Sequence, residues 1–476
     1  MVRSEPKCRK HLIVLKSRLG AILGDLEVAH ELAGMLDAAL AKRTFDRLII
    51  VLGENSPACA RQGGERAMND AAAARVIPLK RSLGLPLSVL YGLGVTIGAG
   101  IYVLVGTAAA RAGFHAPLSF VLAALVMAPS GATFAELASR MPTSAGEAAY
   151  VKEGFGSDRL ALFVGLMVAA IGIISAAAIA RGSAGYIRDI VDMPIDLIVL
   201  LVILSMGAVA AWGIVESVAL AGAMTLIELG GLVIILVISA VTVPDLGSRL
   251  PEAWPGLEDT GAWAGVLGAS LIAFFAFTGF EGLANIAEEV KSPGWTIPRA
   301  ILITLVLSTL LYVLVVWVAL NVIPHDELGK AGAPLSRVFE RLTGSPPLAF
   351  SIIAILATVN GVVFYIVMSS RVIYGLARRG LLPQQLAQVS QVSRTPLVAT
   401  GLVVAVILTL ALAFPIEGLA EMTSRLTLVV FALVNAALIA IKQRGIPAPP
   451  GSYVAPRWVP VAGLVSSVGL LVSEAF

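Results

Sequence analysis

The chain has 476 residues, of which 58% are hydrophobic and only 14% are charged. Soluble domains have fewer apolar and more charged residues, so this composition excludes an ordinary water-soluble fold and indicates a membrane protein. The formal net charge of +3 is small and does not indicate a nucleic-acid partner. The two cysteines, Cys8 and Cys59, favour free cytosolic thiols over a disulfide, and neither indicates a metal site.

Residues 1–81 differ in character from the rest of the chain. The start MVRSEPKCRKHLIVLK has neither the uninterrupted apolar core nor the small-residue cleavage site of a signal peptide. A helical pattern around residues 31–42 is followed by FDRLIIVL, which has the pattern of a strand. We therefore expect a cytosolic N-terminal region, either a small α/β fragment or a tail.

Eleven nearly charge-free stretches follow, and most reach the roughly 20 residues that a helix needs to cross a bilayer. They cover residues 82–110, 116–135, 160–180, 197–215, 217–244, 260–287, 300–324, 342–370, 395–416, 426–441 and 459–473. The sequence thus predicts an all-α integral membrane protein with about eleven transmembrane helices.

The segments between these spans differ in positive charge. If the N-terminus is cytoplasmic, the short segments on its side of the membrane contain fifteen Lys and Arg residues, against eight on the other side. The positive-inside rule therefore predicts a multi-pass protein of the cytoplasmic membrane, the bacterial inner membrane, with its N-terminus inside.

Two spans contain glycine-rich interruptions, Gly98-Ala99-Gly100 in the first and Thr278-Gly279 in the sixth. Backbone that leaves a helix inside a membrane is tolerated where it lines a cavity, and paired broken helices indicate a transporter binding site. The two breaks lie five spans apart, which predicts a 5+5 inverted repeat with discontinuous helices 1 and 6. Free N–H and carbonyl groups at such breaks suit the carboxylate and ammonium of an amino acid. The alternative is close helix packing, because Gly94 and Gly98 have the GxxxG spacing.

Two acidic residues interrupt these apolar spans. Glu228 lies in the middle of the fifth span, where an ionisable group is by default a functional candidate. Glu281 follows the sixth-span break, and a structural role and a transport role are equally open for it. Asn360 and Tyr365 in the eighth span are similarly open between lining a pathway and polar packing. A membrane-embedded enzyme is disfavoured because the spans contain no HExxH, P-loop or GxSxG motif, and the four histidines are scattered.

Four segments of the chain resemble the amino acid–polyamine–organocation permeases, and most closely the cationic amino acid transporters and their bacterial relatives. These segments are LYGLGVTIGAGIYVLVG, AELASRMPTSAGEAAYV, FFAFTGFEGLANIAEEVKSPGWTIPRAI and SSRVIYGLARRGLLP. The resemblance implies a leucine-transporter-like core of ten helices over residues 82–442, with residues 443–476 adding a C-terminal transmembrane helix.

The resemblance also implies a substrate site. The substrate carboxylate would contact backbone N–H groups at Gly98, Ala99 and Gly100. Its ammonium would contact carbonyls near Thr96, Phe275 and Thr278. Phe275 would act as a gate, because such permeases place an aromatic ring over the substrate at this position.

The implied function is secondary active amino acid transport by alternating access, with a proton as the coupling ion in symport. Many proton-coupled members have a lysine in the fifth helix where this chain has Glu228, so sodium remains open as the coupling ion. The function also remains open to an amino acid/polyamine exchanger and to a non-transporting amino-acid sensor. No cofactor is implied, and cationic and neutral amino acids are equally open as substrates.

Overall fold

The computed structural model describes residues 83–142, 146–243 and 245–473. The predicted α/β fragment lies outside these residues. Within them the chain forms fifteen α-helices: α1 Leu85–Ala112, α2 Ala116–Arg140, α3 Gly146–Phe155, α4 Asp158–Arg188, α5 Ile195–Trp212, α6 Ile214–Thr242, α7 Thr260–Phe277, α8 Gly282–Asn285, α9 Pro293–Val322, α10 His325–Lys330, α11 Pro334–Thr343, α12 Leu348–Arg378, α13 Leu397–Ala413, α14 Ile416–Gln443 and α15 Trp458–Ser473. The all-α prediction is confirmed.

The eleven predicted spans correspond to these helices one by one. Eight described stretches are long and apolar enough to cross a membrane, and the first of them, Leu85–Arg140, contains both α1 and α2. The ninth and eleventh spans are the shorter apolar helices α13 and α15. The predicted tenth span began too late in the chain, because α14 starts at Ile416 and carries Glu421 and Arg425 in its first three turns. The predicted eighth span began too early, because Leu342 belongs to α11.

The predicted break in the first span is absent. Helix α1 is continuous through Gly98, Ala99 and Gly100. A Cβ on Gly100 would lie 2.3 Å from the Cα of Ala276 in α7, and a Cβ on Gly94 would lie 1.9 Å from Oγ1 of Thr225 in α6. These glycines let neighbouring helices approach α1 closely, which is the packing role that small residues have in membranes.

The predicted break in the sixth span is confirmed. Helix α7 ends at Phe277, Thr278 is extended, and Gly279 has φ +126°, a conformation that side chains rarely adopt. The chain returns to helix only for the short α8, which begins at Gly282. The first and sixth spans, which were predicted to be broken at matching positions, therefore differ. Only the sixth span is interrupted.

Helix α1 lies at the centre of the bundle and packs against α6, α7, α9 and α12. Helix α4 packs along α12, and α2 packs along α9. The last helix, α15, packs against α2 and α14, where Gly463 meets the amide of Asn435. The break between α7 and α8 therefore lies beside the central helix.

Candidate substrate and coupling site

Hydroxyl groups satisfy the backbone at the sixth-span break. The hydroxyl of Thr278 donates to the carbonyl of Phe275 at 2.7 Å, and its N–H donates to the same oxygen at 3.0 Å. The hydroxyl of Tyr365 in α12 lies 3.3 Å from that of Thr278 and donates to the Thr278 carbonyl at 3.4 Å. Thr278 and Phe275 are both buried. The break is thus a closed polar site between α7 and α12.

Tyr312 joins the break to the central helix. Its hydroxyl, on α9, lies within hydrogen-bond distance of two carbonyl oxygens, Ala276 in α7 at 2.9 Å and Thr96 in α1. Tyr312 was not predicted as part of the site, and its only signal in the sequence is a tyrosine within the largely apolar segment LSTLLYVLVV. One hydroxyl therefore holds α1, α7 and α9 together beside the break.

The predicted substrate-binding residues fall into two groups. Thr96, Phe275 and Thr278 lie around the contact between α1 and α7, and the Thr96 hydroxyl has no hydrogen-bond partner among the described residues. Gly98, Ala99 and Gly100 occupy the next turn of α1, where helical N–H groups donate to carbonyls four residues earlier. A substrate carboxylate would reach those N–H groups only after this turn opens. Their binding role stays a prediction.

Glu281 contacts the break directly. One of its carboxylate oxygens accepts the N–H of Gly279 at 2.8 Å, and the side chain is buried. This N–H belongs to the backbone that leaves the helix, so the carboxylate replaces a lost intrahelical bond. The contact favours the structural role that the sequence left open for Glu281.

Glu228 is completely buried in α6. Neither carboxylate oxygen has a hydrogen-bond partner within the described ranges, although the Glu228 carbonyl accepts the hydroxyl of Tyr102 at 2.7 Å. One turn earlier, Oγ1 of Thr225 accepts the amide of Asn360 in α12 at 3.3 Å, and Gly94 of α1 approaches the same hydroxyl. A buried carboxyl without a neutralising partner is tolerated as the uncharged acid. This environment suits a group that exchanges a proton.

An ion pair closes one end of the sixth span. Glu289, which follows α8, pairs with Arg371 of α12 at 2.6 Å, and both side chains are largely buried. The neighbouring Val290 pairs with Leu83, and backbone bonds of 3.1 and 2.8 Å join Leu83 to Glu289 and Lys291. Glu289 therefore lies in a contact that ties the start of α1 to α12.

A bundle of membrane-length helices, with a broken span packed on a central helix, defines a multi-pass membrane transporter. The model of the amino acid permease family matches residues 83–473. The chain therefore belongs to this family, within the amino acid–polyamine–organocation superfamily, and it is an amino acid transporter.

Named transporters from bacteria and plants are similar to most of the chain. The branched-chain amino acid permease BcaP of Bacillus subtilis is 28% identical over 77% of this chain and 82% of its own length. The vacuolar cationic amino acid transporter 2 of Arabidopsis thaliana is 29% identical over 76% of this chain and 60% of its own length. An uncharacterized transporter of Mycobacterium tuberculosis is 32% identical over 82% of this chain and 86% of its own length.

Proposed function

We propose that the protein takes up amino acids by alternating access, in symport with protons. The observation that supports coupling is the environment of Glu228, which is fully buried and has no hydrogen-bond partner for its carboxylate among the described residues. An intramembrane ionisable group in such a setting is a natural proton carrier. The nearby Thr225–Asn360 hydrogen bond joins its helix to α12.

The packing of α1 suggests how substrate binding and proton transfer are linked. An ammonium group would compete with Tyr312, Tyr365 and Thr278 for carbonyls of α1 and α7. A carboxylate would use N–H groups that become available when α1 opens near Gly100. Because α1 also contacts Thr225 through Gly94, one turn from Glu228, this movement would change the surroundings of the proton carrier.

A neutral amino acid is the substrate class that fits the described groups best. The side chains around the break offer hydroxyls and aromatic rings, and the Glu281 carboxylate is engaged by the Gly279 N–H. A cationic substrate side chain would require a free anion to offset its desolvation. The name of the Bacillus relative, a branched-chain amino acid permease, agrees with an apolar neutral substrate.

Reconstitution into liposomes tests this function. With a proton gradient directed inward, labelled leucine should accumulate without sodium, and a protonophore should stop its accumulation. Unlabelled leucine should compete more strongly than lysine. Uptake that requires preloaded amino acid and ignores the gradient would identify an exchanger instead. Leucine binding without any flux would identify a sensor.

We further propose that the protein lies in the bacterial cytoplasmic membrane with its N-terminus inside. The positive-charge bias supports this orientation, and the ends of α2, α3 and α14 meet on one face, where Arg140 donates to the Ile446 carbonyl and Arg444 to that of Glu153. Alkaline phosphatase fused after Gly256 should be active, and a fluorescent protein fused after Gln388 should fluoresce. The opposite pattern would reverse the topology.

A further inference from the structure

A cavity of about 490 Å³ opens where the segment between α14 and α15 crosses the end of α2. Three basic side chains line it, Arg140, Lys442 and Arg457, together with Val454 and backbone of the connecting segment. The cavity lies at the ends of membrane-spanning helices and away from the break between α7 and α8. The transport mechanism proposed above uses none of these residues.

A buried carboxylate outside the lining holds two of the basic side chains that line the cavity. Glu136 is fully buried, and one of its oxygens accepts Nε and Nη2 of Arg140 at 2.9 and 2.6 Å. Its other oxygen accepts the backbone N–H of Ala455 at 2.8 Å and lies 2.8 Å from Nζ of Lys442. This cluster fixes both basic side chains in place, and it neutralises one of their two positive charges.

The cavity therefore keeps an excess of positive charge. Arg457 is exposed at its rim, and no ion pair joins it to another residue in the described part of the chain. With one charge left over from the Glu136 cluster and one on Arg457, the lining carries a net charge of about +2 at neutral pH. Guanidinium and ammonium groups together are the usual ligands of phosphate.

The cavity is also held open by its own framework. The N–H of Tyr453 donates to the hydroxyl of Ser139 at 3.1 Å, and the hydroxyl of Ser452 donates to the Ser139 carbonyl at 3.4 Å. At the other end of the segment, Arg444 donates to the carbonyls of Glu153 and Gly154. These bonds fix the connecting segment on α2 and α3, so a ligand would bind without first ordering it.

We propose that this cavity binds the phosphate group of an anionic ligand at the membrane surface. Basic pockets between transmembrane helices at this depth suit anionic lipid headgroups, and a free phosphate offers the same chemistry. Arg457 and Lys442 contact the phosphate, while Arg140 supports it through the Glu136 cluster. Binding would clamp α2, α14 and α15 together.

Thermal unfolding of the full-length purified protein in detergent tests this site. Phosphatidylglycerol, phosphatidylcholine and inorganic phosphate are titrated separately. Phosphatidylglycerol should raise the midpoint temperature in a saturable way, and phosphatidylcholine should not. Saturation by phosphatidylglycerol alone assigns the site to a lipid headgroup. Saturation by inorganic phosphate, with competition between the two, assigns it to a free phosphate.

Two variants locate the effect without disturbing the Glu136 cluster. R457Q should raise the half-saturating concentration about tenfold, as expected for one lost charged contact. V454E adds a negative charge at an exposed lining position and should abolish the shift. R159Q, at an exposed arginine outside the cavity, is the matched control and should behave as wild type. The proposal is overturned if both lining variants respond as wild type, or if phosphatidylcholine stabilises as well as phosphatidylglycerol.

Discussion

At the scale of single residues, Glu228 carries the coupling proposal. If its carboxyl is the proton carrier, uptake should fall as external pH rises, because the outward-facing site must be protonated before each cycle. Glu228→Gln keeps the shape and removes the titrating proton, so it should flatten this pH dependence and reduce accumulation. Exchange of internal for external substrate should survive.

The control for this variant is Glu258→Gln, on an exposed loop. It should leave both the pH profile and the rate of uptake unchanged. Sodium-independent uptake that does not vary with pH and is unaffected by Glu228→Gln would show that Glu228 is not the coupling group.

Comparing variants of Phe275 and Phe274 distinguishes a ring that covers the substrate from a ring that only packs in the core. Phe274 is fully buried and packs against Phe431 with ring centroids 5.9 Å apart, so Phe274→Ala should lower stability by about 3–5 kcal/mol. Phe275→Ala should instead raise the half-saturation concentration for uptake several-fold, because its ring would no longer cover the substrate. Transport kinetics and thermal unfolding of both variants measure the difference. Equal half-saturation concentrations in the two variants would make Phe275 a packing residue.

Gly100 lies where α1 and α7 are in close contact. Any side chain there meets the backbone of α7, since a Cβ would lie 2.3 Å from the Cα of Ala276. Gly100→Leu should therefore abolish uptake and also lower the unfolding temperature, while the protein still inserts. Gly230→Leu is the control, because nothing lies within 4 Å of a Cβ at that position of α6. Normal substrate affinity in Gly100→Leu would place the binding site elsewhere.

At the scale of elements, the sequence predicted one break correctly and one wrongly for a physical reason. Both spans contain glycines that can either open a helix or let another helix approach. At Gly279 the backbone has a positive φ that glycine readily adopts, and the Glu281 carboxylate accepts the freed N–H. The interrupted helix is therefore stabilised there. At Gly100 the space is taken by Ala276, a residue of another span, and no local pattern reveals that contact. Tyr312 was missed for the same reason, because its partners lie on two distant helices.

The ion pair between Glu289 and Arg371 of α12 gives a prediction about stability and transport. Arg371→Gln leaves the Glu289 carboxylate buried without its partner, and such losses cost about 3–5 kcal/mol. We expect this variant to lose stability and transport together, and the exchanged pair Glu289→Arg with Arg371→Glu to recover part of both. The exposed pair Arg337–Glu340 provides the control, and Arg337→Gln should change little. Normal stability and uptake in Arg371→Gln would show that neither property depends on this ion pair.

At the scale of the whole molecule, hydropathy alone located the spans, because the bilayer imposes the same length and composition on each. The shorter helices α3, α10 and α11 were not predicted. Helix α11, PLSRVFERLT, buries one side and exposes charges on the other, so it carries no continuous apolar signal. The cavity beside Arg457 was also beyond prediction, because it is formed by residues from α2, α14 and the segment before α15 that meet only in the folded chain.

We propose that the N-terminal region is a cytosolic extension outside the transporter core. The match to the amino acid permease family begins at residue 83, and the positive residues Arg75, Lys80 and Arg81 lie just before the first span. Deletion of residues 1–74 keeps these topogenic charges, so insertion and uptake should remain close to wild type. Membrane abundance and initial uptake rate, measured in the same cells, distinguish the outcomes. If abundance is normal but uptake is lost, this region takes part in transport or its control.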